Sequence, residues 1–403
     1  MIKTISVEVM DATWPGPGNV PAFPRSFHRG TQIWDINFPA MLLMIGYLTT
    51  PTSSTGVSLS EFWAWVRYLS AVTPDPDLRL TSSFADLDAH QKTILSDDFG
   101  MGAPLLWLNE HLDLDRIVDG RYFVEYVAAS MGATQRRTAK RGPNKSPDFV
   151  ARDTSGVWHV IECKGTQSGR EYGARQLGNA GPPPTGGVAQ KRSILFPAGY
   201  TGQRLVSGLQ IGVEAGNPSH LTFIDPEPEK PFVVSEQDLE LANDAATRCV
   251  MSKALRLSGY ETSAEVTASP FGRRPSERYG YSKKLEEQRV QEVNDRNERA
   301  RDELKNRERT SLFGEHFLGR EQHFALPRSV IVDDTPVSRV VVRQGLNEDA
   351  IKEMQDRPTI EETISESGAE WEAKIGRSML KSEERSATMT IGSVFRSEMI
   401  LEK

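Results

Sequence analysis

Residues 146–166 read SPDFVARDTSGVWHVIECKGT, and they carry the clearest structural pattern in the chain. Two runs rich in apolar and β-branched residues are separated only by Thr154, Ser155 and Gly156. A three-residue loop that ends in glycine is a common connection between two antiparallel strands. We therefore expect a tight hairpin, closed by Asp153 and Val157.

This hairpin register brings three charged side chains to one face. It places Asp148 directly opposite Glu162, and opposed residues have Cβ atoms about 5 Å apart. Lys164 follows Glu162 by two residues, so it projects from the same face. Two facing carboxylates repel each other unless a cation lies between them or one is protonated. Carboxylate oxygens suit Mg²⁺, and a neighbouring lysine can orient or deprotonate a water molecule.

Pro147-Asp148 followed by Glu162-Cys163-Lys164 resembles the PD-(D/E)XK signature of the restriction-endonuclease-like nuclease superfamily. The resemblance implies that Asp148, Glu162 and the backbone carbonyl of Cys163 bind Mg²⁺, with Mn²⁺ as a substitute. It also implies that Lys164 is catalytic. The implied fold class is α/β (α+β), with a central mixed-sheet core over about residues 119–230, and the pattern along the chain predicts mainly helical N- and C-terminal regions on either side of it.

The same resemblance implies two core helices beside the hairpin. The first carries a further acid, and RYFVEYVAASMGA (121–133) supplies Glu125, to support the metal directly, through water or at a second site. The second follows the hairpin, and residues 170–179 fit it. Its candidate nucleic-acid ligands are Arg175 and Gln176, with Gln190 and Lys191 as alternates.

The charge distribution favours a phosphate-bearing partner. The chain has a net charge of −7, but residues 121–210 carry +8 between flanks of −7 and −8. A local basic field can attract phosphate even on an acidic molecule. The basic side chains nearest the hairpin are expected to bind nucleic acid: Arg136, Arg137, Lys140, Arg141 and Lys145. A solvated loop is the alternative interpretation.

Composition and missing motifs exclude several classes of protein. The chain has 403 residues, 38% apolar, and only two cysteines, which excludes a disulfide scaffold and a Cys-rich zinc module. It contains no P-loop motif and no H-E-x-x-H zinc motif. Its most apolar run, 38–48, is too short to span a bilayer and is expected to be a buried helix. We expect a cytoplasmic protein without a membrane partner.

The pattern along the chain predicts three regions. Residues 1–118 are expected to form a helical N-terminal domain, with a turn between helices at 97–102. Residues 119–232 would form the nuclease domain. Residues 233–403 would be a helical C-terminal region with a long charged helix at about 276–310. That helix either forms a coiled coil with a second copy or a partner protein, or is solvated and packed on one side.

We therefore expect a Mg²⁺-dependent DNA endonuclease of restriction or anti-phage defence type, acting on double-stranded DNA. The alternatives are an RNase or repair nuclease of the same fold, and a catalytically silent module that binds nucleic acid or protein. Each residue also has a structural interpretation. Asp148 would start a turn, Glu162 and Lys164 would be an exposed strand pair, Glu125 would be solvated, and Cys163 would be a small buried side chain.

Overall fold

The chain contains many strands, most of them in two large sheets. The computed structural model describes residues 1–16, 18–53, 66–130, 146–178, 187–188, 194–226, 232–268, 283–306, 309–314, 316–332, 335–357, 363–383 and 385–403. The strands are β1 (Ile2–Val9), β2 (Gly30–Asn37), β3 (Arg79–Leu80), β4 (Leu114–Asp119), β5 (Phe149–Asp153), β6 (Trp158–Thr166), β7 (Ile194–Leu195), β8 (Thr201–Gln210), β9 (Gly212–Val213), β10 (His220–Ile224), β11 (Phe232–Val233), β12 (Thr310–Leu312), β13 (Phe317–Val332), β14 (Thr335–Asn347), β15 (Ser378–Ser382), β16 (Ser386–Ile391) and β17 (Phe395–Glu402).

Helices lie between these strands throughout the chain. Within the described residues they are α1 (Phe38–Thr49), α2 (Ser82–Ala85), α3 (Ala89–Leu112), α4 (Gly120–Ser130), α5 (Arg170–Leu177), α6 (Leu239–Leu257), α7 (Glu261–Ala268), α8 (Lys283–Asn306), α9 (Glu348–Asp356) and α10 (Ile364–Ser367). The protein therefore has a mixed α and β architecture. Among the described helices, none combines the length and the hydropathy needed to cross a membrane.

The central sheet is seven-stranded and mixed, with the order β2-β1-β10-β8-β6-β5-β4. β6 runs parallel to β8 and β1 parallel to β10, while the other neighbouring pairs are antiparallel. The predicted hairpin is confirmed as β5 and β6. Phe149 lies opposite Ile161, and the Asp153 N–H donates to the Val157 carbonyl at 3.0 Å.

The N-terminal region is not helical throughout, and the boundary expected after residue 118 falls inside a strand. β1 and β2 belong to the central sheet, and residue 118 lies within β4. The apolar positions of β1 alternate, with Ile5, Val7 and Val9 buried. Alternation of this kind is the signature of a strand with one face in the core, so the signal was present in the sequence.

The turn expected at 97–102 is also wrong, because these residues lie inside α3. The two glycines there allow close packing. A Cβ at Gly100 would lie 2.6 Å from the backbone of Gly165 in β6, and one at Gly102 would lie 2.4 Å from Ile45. Glycine usually weakens a helix, but here it lets α3 approach its neighbours. The apolar run at 38–48 forms α1, whose residues Phe38 to Leu48 are buried as predicted.

The C-terminal region is not mainly helical either. β12 to β17 form a six-stranded antiparallel sheet with the order β12-β13-β14-β17-β16-β15. One hydrophobic cluster contains Leu42, Trp107 and Leu209 together with Met389 of this sheet. The charged helix is observed as α8. Its apolar residues Ala300 and Leu304 are buried, which agrees with a solvated helix packed on one side.

The two faces of the central sheet differ around the hairpin. α3 packs on one face, where the Trp107 and Phe223 rings stack at 4.6 Å. α5 packs on the other, where a Cβ at Gly208 would lie 2.8 Å from Leu177. Side chains of alternate residues share a face, so Glu162, Lys164 and Gly208 lie on the α5 face.

Candidate active site

The hairpin brings Asp148, Glu162 and Lys164 into mutual contact. Lys164 Nζ pairs with Glu162 Oε1 and lies 3.9 Å from Asp148 Oδ2. The Glu162 side chain is fully buried, whereas 32% of Asp148 and 23% of Lys164 remain exposed. An approaching molecule would therefore meet Asp148 and Lys164 first, with Glu162 beneath them.

Backbone groups hold the two carboxylates in place. The Cys163 N–H donates to Asp148 Oδ2 at 2.8 Å, and the Asp148 N–H donates to Glu162 Oε2 at 3.2 Å. The Cys163 side chain is buried, so this residue meets the site through its backbone. Charge-assisted bonds from N–H groups to carboxylates are stronger than neutral ones, and they fix both acids before any ligand binds.

Burial makes this acid pair hard to ionise. Burial and the negative charge of Asp148 raise the pKa of Glu162 to about 8, and Lys164 opposes the rise. Burial likewise raises the pKa of Asp148, against the opposing effects of Lys164 and the Cys163 N–H. Burial disfavours the charge on Lys164, but Glu162 and Asp148 outweigh this and raise its pKa. With both acids ionised, the site would carry more negative charge than one lysine neutralises.

A further acid comes from α3, and the sequence analysis missed it. Asp97 is exposed on α3. Partial burial raises its pKa, the charge of Lys164 lowers it, and the charge of Asp148 raises it further. Asp97 therefore lies within electrostatic range of the hairpin. The apolar spacing of Leu95, Phe99 and Ala103 would have indicated the helix, had Gly100 not been interpreted as a breaker.

Glu125 makes no contact with Asp148, Glu162 or Lys164 among the described residues. It lies on α4, where its exposed carboxylate accepts a 2.8 Å bond from Arg121 one turn earlier. Tyr122 and Tyr126 face the opposite way, since the Tyr126 hydroxyl bonds to Asp244 of α6 at 2.5 Å. Packing of α4 against α6 thus turns position 125 to solvent. The assignment of Glu125 to the hairpin acids is not supported by any contact among the described residues.

The second helix expected beside the hairpin is present as α5. Arg175 is exposed and lies 5.7 Å from the ring centre of Tyr172, which is itself 44% exposed. Gln176 is half-buried, and its Oε1 has no hydrogen-bond partner among the described residues. Several predicted nucleic-acid ligands and alternates lie outside the described residues: Arg136, Arg137, Lys140, Arg141, Lys145, Gln190 and Lys191.

The donor set fits a magnesium ion better than a zinc ion. Within the described ranges, no cluster of three or more His, Cys, Asp or Glu side chains is placed to hold a metal. Mg²⁺ does not need such a cluster, because it keeps several waters and binds through one or two carboxylates. Asp148 and Glu162 supply hard oxygen atoms. Their raised pKa values show that a positive charge between them would stabilise the ionised pair.

Comparison of the chain with family models, curated proteins and solved structures finds no match.

Proposed function

We propose that the protein is a Mg²⁺-dependent nuclease, specifically a DNA endonuclease, with its active site on the β5–β6 hairpin. The observation that carries this proposal is the contact of Asp148, Glu162 and Lys164 on one sheet face. Two acids and a lysine held by the backbone are the groups that metal-assisted phosphodiester hydrolysis uses. An exposed strand pair would not need a fully buried glutamate at its centre.

The order of elements around the hairpin supports the same proposal. Along the chain the order is α3, β4, α4, β5, β6, α5, β7 and β8, and the strands β4, β5, β6 and β8 are neighbours in one sheet. This agrees with the restriction-endonuclease-like core that the sequence motif suggests, in which helices precede and follow the catalytic hairpin. In this arrangement α3 takes the place of the first core helix, and Asp97 takes the place that we expected for Glu125.

Asp148, Glu162 and the Cys163 carbonyl would hold the cation, and Asp97 would add negative charge through a water molecule. A cation held there would neutralise phosphate charge and activate water. Lys164 would orient the attacking water and stabilise negative charge that develops on the phosphate. The family resemblance implies that water attacks phosphorus in line and that the bond from phosphorus to the 3′-oxygen breaks, which would leave a 5′-phosphate and a 3′-hydroxyl.

A silent binding module is the second candidate function, and the geometry disfavours it. Burying Glu162 next to Asp148 costs free energy, as its raised pKa shows. Sites that store such strain are enriched in function. We also propose a role in restriction or anti-phage defence. The support for this role is that nucleases of the resembled superfamily commonly act there.

A plasmid assay tests the proposed function. The purified chain is incubated with supercoiled plasmid or with single-stranded RNA, in Mg²⁺, in Mn²⁺ or in EDTA. We expect nicked or linear plasmid with either metal and none in EDTA. Cleavage of RNA alone would move the substrate to RNA, and binding of DNA without cleavage would favour the silent module.

A further inference from the structure

α5 contacts the central sheet through few residues, and most of its side chains are exposed. Gly173 and Leu177 make its contacts with the sheet: Leu177 packs over Gly208, and a Cβ at Gly173 would lie 3.7 Å from Thr166. The residues that remain exposed are Arg170, Glu171, Tyr172, Ala174 and Arg175. Most of them are polar or charged, so the outer surface of α5 is available to a polar partner.

The catalytic hairpin lies on one side of α5, and a cleft lies on the other. The strand register places Lys164, Gly208 and Thr222 in one row across the sheet. The next row on the same face is Thr166, Gln210, His220 and Ser6. His220 lies two strands across the sheet and two residues along it from Lys164. This corresponds to about 12 Å between the two Cα atoms.

The cleft has a volume of about 350 Å³ and is lined by Ser6, Arg170, Asn217, Pro218, Ser219 and His220. The His220 ring is fixed, since its nitrogens lie 3.3 Å from the Ser6 hydroxyl and 3.1 Å from the Glu8 carboxylate. Arg170 is exposed and forms no ion pair with another described residue. It is the group in the cleft lining that would bind an anion, with Asn217 and Ser6 as neutral donors.

We propose that α5 enters the major groove of duplex DNA, and that the Arg170 cleft binds backbone phosphate of the strand that is not cut. This proposal rests on the proposed nuclease function of the hairpin. The major groove of B-form DNA is about 12 Å wide and admits one α-helix. The spacing between the hairpin and the cleft matches that width. The scissile strand would then lie on the hairpin and the opposite strand on the cleft.

The same geometry selects the kind of nucleic acid. The major groove of A-form RNA is deep and narrow, so protein side chains do not read it. A single strand could reach the hairpin but would leave the cleft empty. Duplex DNA is therefore the substrate that uses both sides of α5, and Tyr172 and Arg175 would face its base edges and backbone.

DNA binding is measured on the Lys164→Ala protein in EDTA, so that cleavage does not affect the affinities. Fluorescence anisotropy is recorded with a random-sequence DNA duplex, the corresponding RNA duplex and one DNA strand, over a range of salt. We expect Arg170→Gln to weaken DNA-duplex binding about tenfold and to reduce the salt slope by about 1, because one phosphate contact is lost. Arg299→Gln replaces an exposed residue of α8, and it should leave the DNA affinity and its salt dependence unchanged.

Equal affinity for the RNA duplex, or unchanged DNA binding by Arg170→Gln with its thermal unfolding also unchanged, would overturn the proposal. Arg170→Lys should recover part of the affinity, which a merely structural role would not predict. If the wild-type protein cuts plasmid but Arg170→Gln binds normally, only this surface is wrong. If Arg170→Gln shows the expected loss but the wild-type protein never cuts, only the nuclease function is wrong.

Discussion

Asp97 and Glu125 are both acids on helices near the hairpin, but only Asp97 is electrostatically coupled to it. Glu125 pairs with Arg121 on the solvent side of α4. We expect Asp97→Asn to lower the cleavage rate by at least tenfold, because the metal site loses a water-bridged negative charge. Glu125→Gln is the matched control and should cut at the wild-type rate.

The comparison is made at saturating DNA over a range of Mg²⁺ concentrations. A shift of the Asp97→Asn curve to higher Mg²⁺ would identify a weakened metal site. Normal cutting by Asp97→Asn together with lost cutting by Glu125→Gln would show that the first sequence-based assignment was right and that α4 moves in the complex.

The raised pKa of Glu162 predicts how stability depends on pH. Its pKa is about 8 in the folded protein against an ordinary value of 4.5, so the fold favours the protonated form. The metal-free protein should therefore lose stability as pH rises from 4.5 to about 8. Glu162→Gln cannot ionise, and in EDTA it should melt at a higher temperature than wild type at the upper end of this range.

Thermal unfolding in EDTA across that pH range measures the effect, with Glu125→Gln as an exposed control that should follow wild type. Added Mg²⁺ should stabilise wild type most at the upper end, where no proton competes for Glu162. Parallel stability curves for wild type and Glu162→Gln would contradict the burial that we assign to this carboxylate.

At the scale of elements, the contact between α3 and β6 positions Asp97 beside the hairpin. A Cβ at Gly165 would lie 1.7 Å from the Ser96 carbonyl oxygen of α3. Gly165→Ala should therefore push α3 away from β6 and cost about 1–3 kcal/mol of unfolding free energy. Cleavage should fall as well, since Asp97 moves with α3.

Gly199→Ala is the matched control, because no atom lies within 4 Å of the added Cβ. Urea unfolding gives the two free energies. If both alanine variants unfold at the same urea concentration, the close packing of α3 on β6 is wrong.

Some elements could be predicted from sequence, and others could not. The β5–β6 hairpin is local: its turn residues and two short apolar runs specify the register, so Asp148 and Glu162 were placed correctly. α3 depends on distant partners. Gly100 and Gly102 resemble breakers in isolation, and only their contacts with Gly165 and Ile45 explain them. Strand β1 was missed although its alternation is visible in the sequence, because its parallel partner β10 lies more than 200 residues further along the chain.

In the molecule as a whole, a buried network of ion pairs connects the C-terminal region to β4 and to β5 of the hairpin. Arg116 of β4 pairs with Asp115 at 2.6 Å and with Glu372 at 3.5 Å, and Arg152 of β5 pairs with Asp115 at 2.5 Å. The Arg116 and Asp115 side chains are almost fully buried. No sequence pattern predicts this network, because Glu372 is more than 200 residues from the other three members.

The charge distribution gives a prediction for the molecule as a whole. Residues 121–210 are basic within an acidic chain. Replacing Arg136, Arg137, Lys140 and Arg141 with Gln should weaken duplex-DNA binding and reduce the slope of affinity against salt by up to about 4. The fold should be unaffected in circular dichroism. An unchanged slope would place the main phosphate contacts elsewhere on the molecule.

The central claim is that Lys164 and the hairpin acids form one hydrolytic site. The most direct measurement is the rate of plasmid cleavage in Mg²⁺ by Lys164→Ala, beside Lys381→Ala, an exposed lysine on the C-terminal sheet. We predict that Lys164→Ala loses at least a hundredfold in rate while keeping its fold and its DNA affinity, and that Lys381→Ala cuts normally. Full cleavage by Lys164→Ala would contradict the site.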